Sequence, residues 1–154
     1  MDGGEENDNY TSKLVTVTDG EWAGWSWYPG GDAYEDLSGP FYFKIGGDGR
    51  PVCAFRVEGK HLNGGRFMHG GCMMTFADFC LFVIARDELA DSRAVTATFN
   101  GEFVCTAHEG DRVTCTGEVV KAGRSMVFVR GIIANGPEPM MSFSAVLKKT
   151  RPRS

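Results

Sequence analysis

The sequence predicts an α+β domain in which one long central helix is wrapped by a curved antiparallel sheet. Three observations carry this. Between Gly71 and Ala85 the only polar side chains are Thr75 and Asp78, a run that reads as one helix from Gly70 to about Glu88. Downstream, four segments alternate β-branched and apolar residues and are separated by turn signals. Upstream, "GGDGRP" at 46–51 is a hairpin-type turn and "VCAFRVE" at 52–58 a strand. A helix that is apolar all round is buried all round. A single curved sheet closed by a second copy of the chain satisfies that requirement.

Taken in order, residues 1–12 are acidic, polar and expected to be disordered. Residues 13–39 are rich in aromatic side chains but broken by Gly and Pro. They are expected to pack on the domain, with an aromatic wall for a ligand as the second reading. The domain proper spans 40–149, and "HLNGGRF" at 61–67 is a loop leading into the helix. The four strands are "AVTATFNGEFV", "DRVTCTGEVVKA", "SMVFVRGIIAN" and "PMMSFSAVLKKT", and their short connections predict antiparallel neighbours throughout. His108, in "AHEGD", is a turn residue. Residues 150–154 form a basic tail.

Composition narrows the function. The chain has 154 residues, enough for one domain with a core, and a net charge of −4 with scattered Lys and Arg, which argues against nucleic acid. The five cysteines form no CxxC pair and no zinc spacing, so buried free thiols in a reducing, cytoplasmic compartment are expected, with no metal. The N-terminus lacks the basic and apolar regions of a signal peptide. The longest apolar run, Phe79 to Ala85, falls far short of the ~20 residues of a membrane span.

Two features carry chemistry. An ionised carboxylate in an apolar run costs several kcal/mol unless it is partnered or has a task, which makes Asp78 a candidate acid–base group. "HGG" at 69–71 opens the helix. The first amides of a helix have no internal acceptor and carry the positive end of its dipole, and glycine lets a ligand approach them. Gly70 is therefore a candidate donor to an oxyanion. Gly70 and Asp78 are eight residues apart, or ~12 Å along one helix. One carbonyl cannot meet both within one chain. Two antiparallel helices from two copies bring the start of one to the Asp of the other, which predicts an obligate homodimer with two equivalent sites.

The stretch "HLNGGRFMHGGCMMTFAD" resembles the signature of hotdog-fold acyl-CoA thioesterases of the phenylacetate-degradation type, with Asn63, His69-Gly70-Gly71 and Asp78 at the matching places. "GPFYF" at 39–43 is similar to the same group, and the hotdog domain would span residues 40–149. The resemblance implies that Asp78 attacks the thioester or activates water. It implies that the Gly70 N–H polarises the carbonyl and that Asn63 places water or substrate. His69 would support the loop or bond near the sulfur. A Thr on the first strand after the helix would assist Asp78; this is Thr96, with Thr98 as the alternative on the same face. Arg124 and Ser125, in "KAGRSM", with Gly71, would meet coenzyme A. No cofactor is implied beyond the coenzyme A of the substrate. Partners would be acyl-CoA and further copies of the chain, as a homodimer or a dimer of dimers. The bulky, sulfur-rich "CMMTFADFC" and the long aromatic segment depart from the pattern and bear on the acyl pocket. Two other functions fit a hotdog domain: an enoyl-thioester hydratase or dehydratase, and a non-catalytic acyl-CoA-binding protein.

Overall fold

A computed structural model of the chain describes residues 13–152; the predicted disordered stretch 1–12 lies outside them. The elements in order are β1 (Val15–Thr16), β2 (Ser26–Trp27), α1 (Ala33–Ser38), β3 (Tyr42–Ile45), β4 (Pro51–Arg56), a single 3-10 turn (Gly59–His61), α2 (Gly70–Ile84), β5 (Ser92–Phe103), β6 (Arg112–Ala122), β7 (Met126–Asn135) and β8 (Glu138–Pro152). All strands pair antiparallel in one eight-stranded sheet of order β1-β2-β3-β4-β6-β7-β8-β5. The predicted hairpin joins β3 to β4 through Gly49, whose φ of 78° suits glycine.

The sheet curves round α2. Met73, Phe76, Ala77, Cys80, Leu81, Val83 and Ile84 point into it and are buried. Phe41, Phe55, Phe76 and Phe79 form a ring cluster with centroids 4.7–6.4 Å apart at the heart of the core. Burial all round does not hold within one chain. Gly71, Met74, Thr75, Asp78 and Phe82, spaced three, four and seven residues apart, stay at least partly exposed and lie along one side of the helix. The helix also stops at Ile84 rather than near Glu88. Beyond it come Arg86, Asp87 and Glu88, which cannot follow the run into the core, and the chain turns toward β5.

The expected neighbour pairing fails at one place. β5 and β6 are consecutive in sequence but not adjacent: β5 pairs with β8, and β6 with β4. The link between them is not a tight turn. It runs on, with Val104 and Cys105 N–H donating to the Met140 carbonyl, Ala107 C=O accepting from Met68 N–H, and Gly110 N–H donating to Val57 C=O. It thereby crosses the end of the sheet and ties down the loop ahead of α2. Among the described residues β5 is left at the end of the sheet, with no strand paired to its outer edge.

Before β3, the aromatic segment extends the sheet and stacks on it. β1 and β2 continue the pairing beyond β3. Trp22 stacks on Tyr42 at 4.4 Å, and the Arg112 guanidinium lies over both Trp22 and Trp25.

A pair of glycines sets the bend. Gly117 of β6 faces Gly131 of β7 across the ladder. A Cβ on Gly117 would collide with the Arg130 carbonyl and meet Ile84 Cδ1 at 2.6 Å; one on Gly131 would meet Phe143 Cζ at 2.5 Å. The end of α2 therefore seats on a strip without side chains. Gly117→Ala is expected to cost about 1–3 kcal/mol through overpacking, whereas Gly47→Ala, with no atom within 4 Å of its added Cβ, is close to neutral. Denaturant unfolding of the two variants checks this; equal stability would show that the strip does not need to be bare.

Candidate active site

Asp78 sits half-buried on the open side of α2. Thr96 Oγ1, on β5, donates to its Oδ1 at 2.6 Å. Oδ2 takes no hydrogen bond from the described residues. The carboxylate faces a cleft of 340 Å³ walled by Met74 and Thr75 of α2, Phe99 of β5, and Tyr34 and Glu35 of α1. Of the aromatic side chains in residues 13–39, Tyr34 lines this cleft, while Trp22 packs against Trp25 and Tyr42.

Thr98 does not share the face of Thr96. The pairing of β5 with β8 slips by one residue between them, with Thr96 opposite Leu147 and Thr98 opposite Val146. Ala97 is the extra residue of a β-bulge, and a bulge reverses the alternation beyond it. Thr98 turns outward, and Phe99 takes the inward position and lines the cleft.

The start of α2 is a separate site. His69 caps the helix: its Nδ1 accepts from Gly71 N–H at 2.8 Å, so the Nε2 nitrogen carries the proton when the ring is neutral. A Cβ on Gly71 would lie 2.9 Å from that ring. Gly71 is thus shaped by the cap, and its amide is already committed. Gly70 N–H has no acceptor among the described residues. Asn63 holds the preceding loop, its Oδ1 accepting from Gly65 N–H at 2.9 Å and Phe67 N–H at 3.3 Å. Its amide NH₂ makes no hydrogen bond among the described residues. Neither Asn63, His69 nor Gly70 lines the Asp78 cleft. Within one chain the two halves stand apart, as the helix rise requires. Arg124 and Ser125 are exposed in the turn between β6 and β7, away from this cleft. A wider groove of 640 Å³ lies on the face of the sheet turned away from α2 and contains none of these residues.

The structure adds one group that the sequence reading passed over. Glu35 stands on α1, which is pinned at both ends. Asp32 caps it, accepting from Tyr34 and Glu35 N–H at 3.0 Å each, and the Asp36 carboxylate accepts from Gly30 N–H. At the far end His61 Nε2 bonds the Ser38 carbonyl at 2.5 Å, and Lys60 Nζ donates to the Gly39 carbonyl at 2.5 Å. His61 is buried, which lowers its pKa and favours the neutral ring that this geometry uses. Burial first, then the charges of Asp32, Asp78 and Asp36, push the Glu35 carboxyl up to about 7.

Among the described residues no cluster of three or more His, Cys, Asp or Glu side chains could hold a metal ion. Among them, too, no helix is long and apolar enough to cross a membrane.

With the geometry in place, comparison with known proteins gives a consistent result. The family model of the thioesterase superfamily matches residues 60–141. A Pseudomonas aeruginosa protein named "Putative esterase PA0474" is 31% identical over 112 residues, which is 72% of this chain and 84% of that protein. Among solved structures, the E. coli PaaI protein from the phenylacetic acid degradation operon superposes with a TM-score of 0.68 at 20% identity, covering 79% of this chain and 86% of that one. A hypothetical thioesterase of Streptococcus pneumoniae, solved with coenzyme A, gives 0.66 at 22% identity, covering 74% and 88%. The fold expected from the sequence, a hotdog with one long helix in a curved antiparallel sheet, is the fold of the chain.

The Glu35 shift has a signed consequence for stability. Its carboxyl titrates near 7 when folded and near ~4.3 when unfolded. Between these values the folded state binds the extra proton, so stability falls as pH rises through the window, and the loss is complete above it. Glu35→Gln removes that loss. The melting temperature of the variant relative to wild type is expected to be higher at about pH 8 than at about pH 4, as read by calorimetry. An identical difference at both would show that ionised Glu35 costs the fold nothing.

Proposed function

The chain belongs to the thioesterase superfamily, and from that premise we propose that it hydrolyses acyl-CoA thioesters to a carboxylate and free coenzyme A. One observation carries the reading furthest. Asp78 is held by Thr96 through one oxygen and lines an open cleft. That is how a base is presented to a water molecule.

In this reading two copies make the site. The outer edge of β5 and the open side of α2 adjoin, so a second copy docked there continues the sheet and sets the helices side by side. Gly70 N–H of one copy then reaches the thioester carbonyl held beside Asp78 of the other. Asn63 directs its amide NH₂ at water or substrate, and His69 acts by capping the helix that aims Gly70. Arg124, with Ser125, meets the coenzyme A moiety. Exposed Met126, Phe128 and Ile132 on the outer face of β7 support the pairing of dimers back to back. The free cysteines, three of them buried, fit a cytoplasmic protein.

The reaction runs through water. Asp78 removes a proton as the water oxygen adds to the carbonyl carbon, the Gly70 N–H steadies the oxyanion, and the C–S bond breaks. A hydratase would need a proton donor and acceptor placed across a carbon–carbon double bond. The Asp78–Thr96 pair beside an amide donor suits carbonyl chemistry instead.

Asp78→Asn keeps an oxygen for Thr96 but removes the base. Its kcat is expected to fall by about 10²–10⁴-fold with the oligomer unchanged, as followed by thiol release over aryl-, short-, medium- and long-chain acyl-CoAs together with size-exclusion chromatography. Full turnover by a folded Asp78→Asn protein would remove Asp78 from the mechanism. A single turnover in ¹⁸O-water tests for an acyl-Asp78 intermediate that water opens at the Asp78 carboxyl carbon. Label in the first-turnover acid is expected; its absence there, with label appearing only later, would make Asp78 the nucleophile.

A further inference from the structure

The Asp78 cleft is bounded by three carboxyl groups, Asp32, Glu35 and Asp78, and the thioesterase reading uses one. Asp32 is taken up by capping α1; Glu35 is not, and it comes from the part of the chain that precedes the family match at residue 60. Two carboxylates in one partly buried cleft cannot both ionise cheaply. The surroundings decide which holds the proton. Asp78 receives a hydrogen bond from Thr96. The Glu35 side chain has no hydrogen bond and no ion pair among the described residues. The charged groups bearing on it are Asp32 and Asp36 from its own helix and Asp78 from α2, all of them acidic. At the far end of α1, Lys60 donates to the Gly39 carbonyl and pairs with Glu58, and His61 bonds the Ser38 carbonyl. Phe99, Tyr34 and Met74 supply apolar walls. A carboxyl that keeps its proton in the same cleft as a second carboxyl group can serve as an acid beside a base.

We propose that Glu35 is a second catalytic residue of this site: the acid that protonates the departing thiolate sulfur. The proposal rests on the thioesterase reading and extends it. A thiolate is a fair leaving group, but in a cleft already holding a carboxylate its charge is poorly solvated, so a proton there matters.

The cycle balances. Asp78 takes one proton from water as the water oxygen bonds to the carbonyl carbon, giving the tetrahedral oxyanion. The oxyanion collapses, the C–S bond breaks, and its electron pair passes to sulfur. Glu35 gives its proton to that sulfur, leaving free acid, free thiol and ionised Glu35. The proton on Asp78 then passes to Glu35, directly or through a water molecule. Both carboxyl groups return to their starting states, and the net change is one water consumed per thioester. A carboxyl titrating near 7 is matched to giving and regaining a proton at neutral pH.

The test contrasts two leaving groups. The full-length protein is assayed with whichever of acetyl-, hexanoyl-, lauroyl- and benzoyl-CoA it turns over fastest, and with the 4-nitrothiophenol thioester of the same acid. The arylthiolate is stable without a proton and needs no acid. In wild type, kcat with the CoA thioester is expected to fall as pH rises through about 7, whereas the aryl thioester shows no such limb. Glu35→Gln is expected to lose about 100-fold in kcat with the CoA thioester, together with the alkaline limb, and to stay within about threefold of wild type with the aryl thioester. That second rate also shows that the variant is folded. Equal losses on both substrates, no loss on the CoA thioester, or a wild-type profile identical for both would overturn the assignment. The wild-type comparison holds even if the variant fails to fold. No turnover of any CoA thioester by wild type would instead overturn the thioesterase reading itself.

Discussion

Helix α2 has fifteen residues, of which only Thr75 and Asp78 carry polar side chains, and water must be kept from nearly all of them. That requirement shapes the rest of the molecule. A flat sheet covers one side of a helix; a curved one covers most of its circumference. The curvature needs room where the helix end meets the strands, and the opposed Gly117 and Gly131 provide it. What the curved sheet cannot reach is the stripe through Met74, Thr75, Asp78 and Phe82. The carboxylate lies on that stripe because nowhere else on the helix could it meet water or a substrate without breaking the core.

The same requirement orders the elements around the stripe. After α2 the chain crosses to the far end of the sheet, and β5 runs beside the open side of the helix rather than next to β6. Thr96 reaches Asp78 from there. One residue further on, the bulge at Ala97 reverses the alternation and brings Phe99 into the cleft. Without the bulge, Thr98 would point inward at that level and the wall would be polar. An irregularity of one residue thus separates the hydrogen-bonding part of the strand from its apolar part.

Much of this was legible in the residues. The unbroken apolar run required a wrapped helix, the alternating segments gave the strands, and a lone carboxylate in the run singled out Asp78. Glycines after His69 pointed to the helix start. The parts that were not legible depend on long-range pairing. Short links normally join neighbouring strands, and nothing in "AHEGD" shows that its flanking residues bond to Met68, Val57 and Met140 instead. A bulge has no signature in "TATF". Glu35 was hidden for another reason. Residues 13–39 were expected to pack on the domain, but nothing in "DAYEDLSG" says which of its carboxyls faces Asp78; that arises only when α1 docks on α2.

α1 shows how structural roles and chemical ones can be separated within six residues. Its acidic side chains are Asp32 at the cap, Glu35 and Asp36. Asp32 satisfies two amides at the start of the helix, where a negative charge is also favoured by the dipole. Asp36 holds the Gly30 amide and so fixes the loop that leads in. Both have structural partners. The Glu35 side chain bonds none of the described residues, lies deeper, and feels the charge of the other two and of Asp78. A side chain that only filled space there would be better apolar, and one that only stabilised the helix would be better outside. Its place makes sense chiefly if a proton is needed beside Asp78, and the hydrogen bonds that pin α1 at both ends keep it in that place.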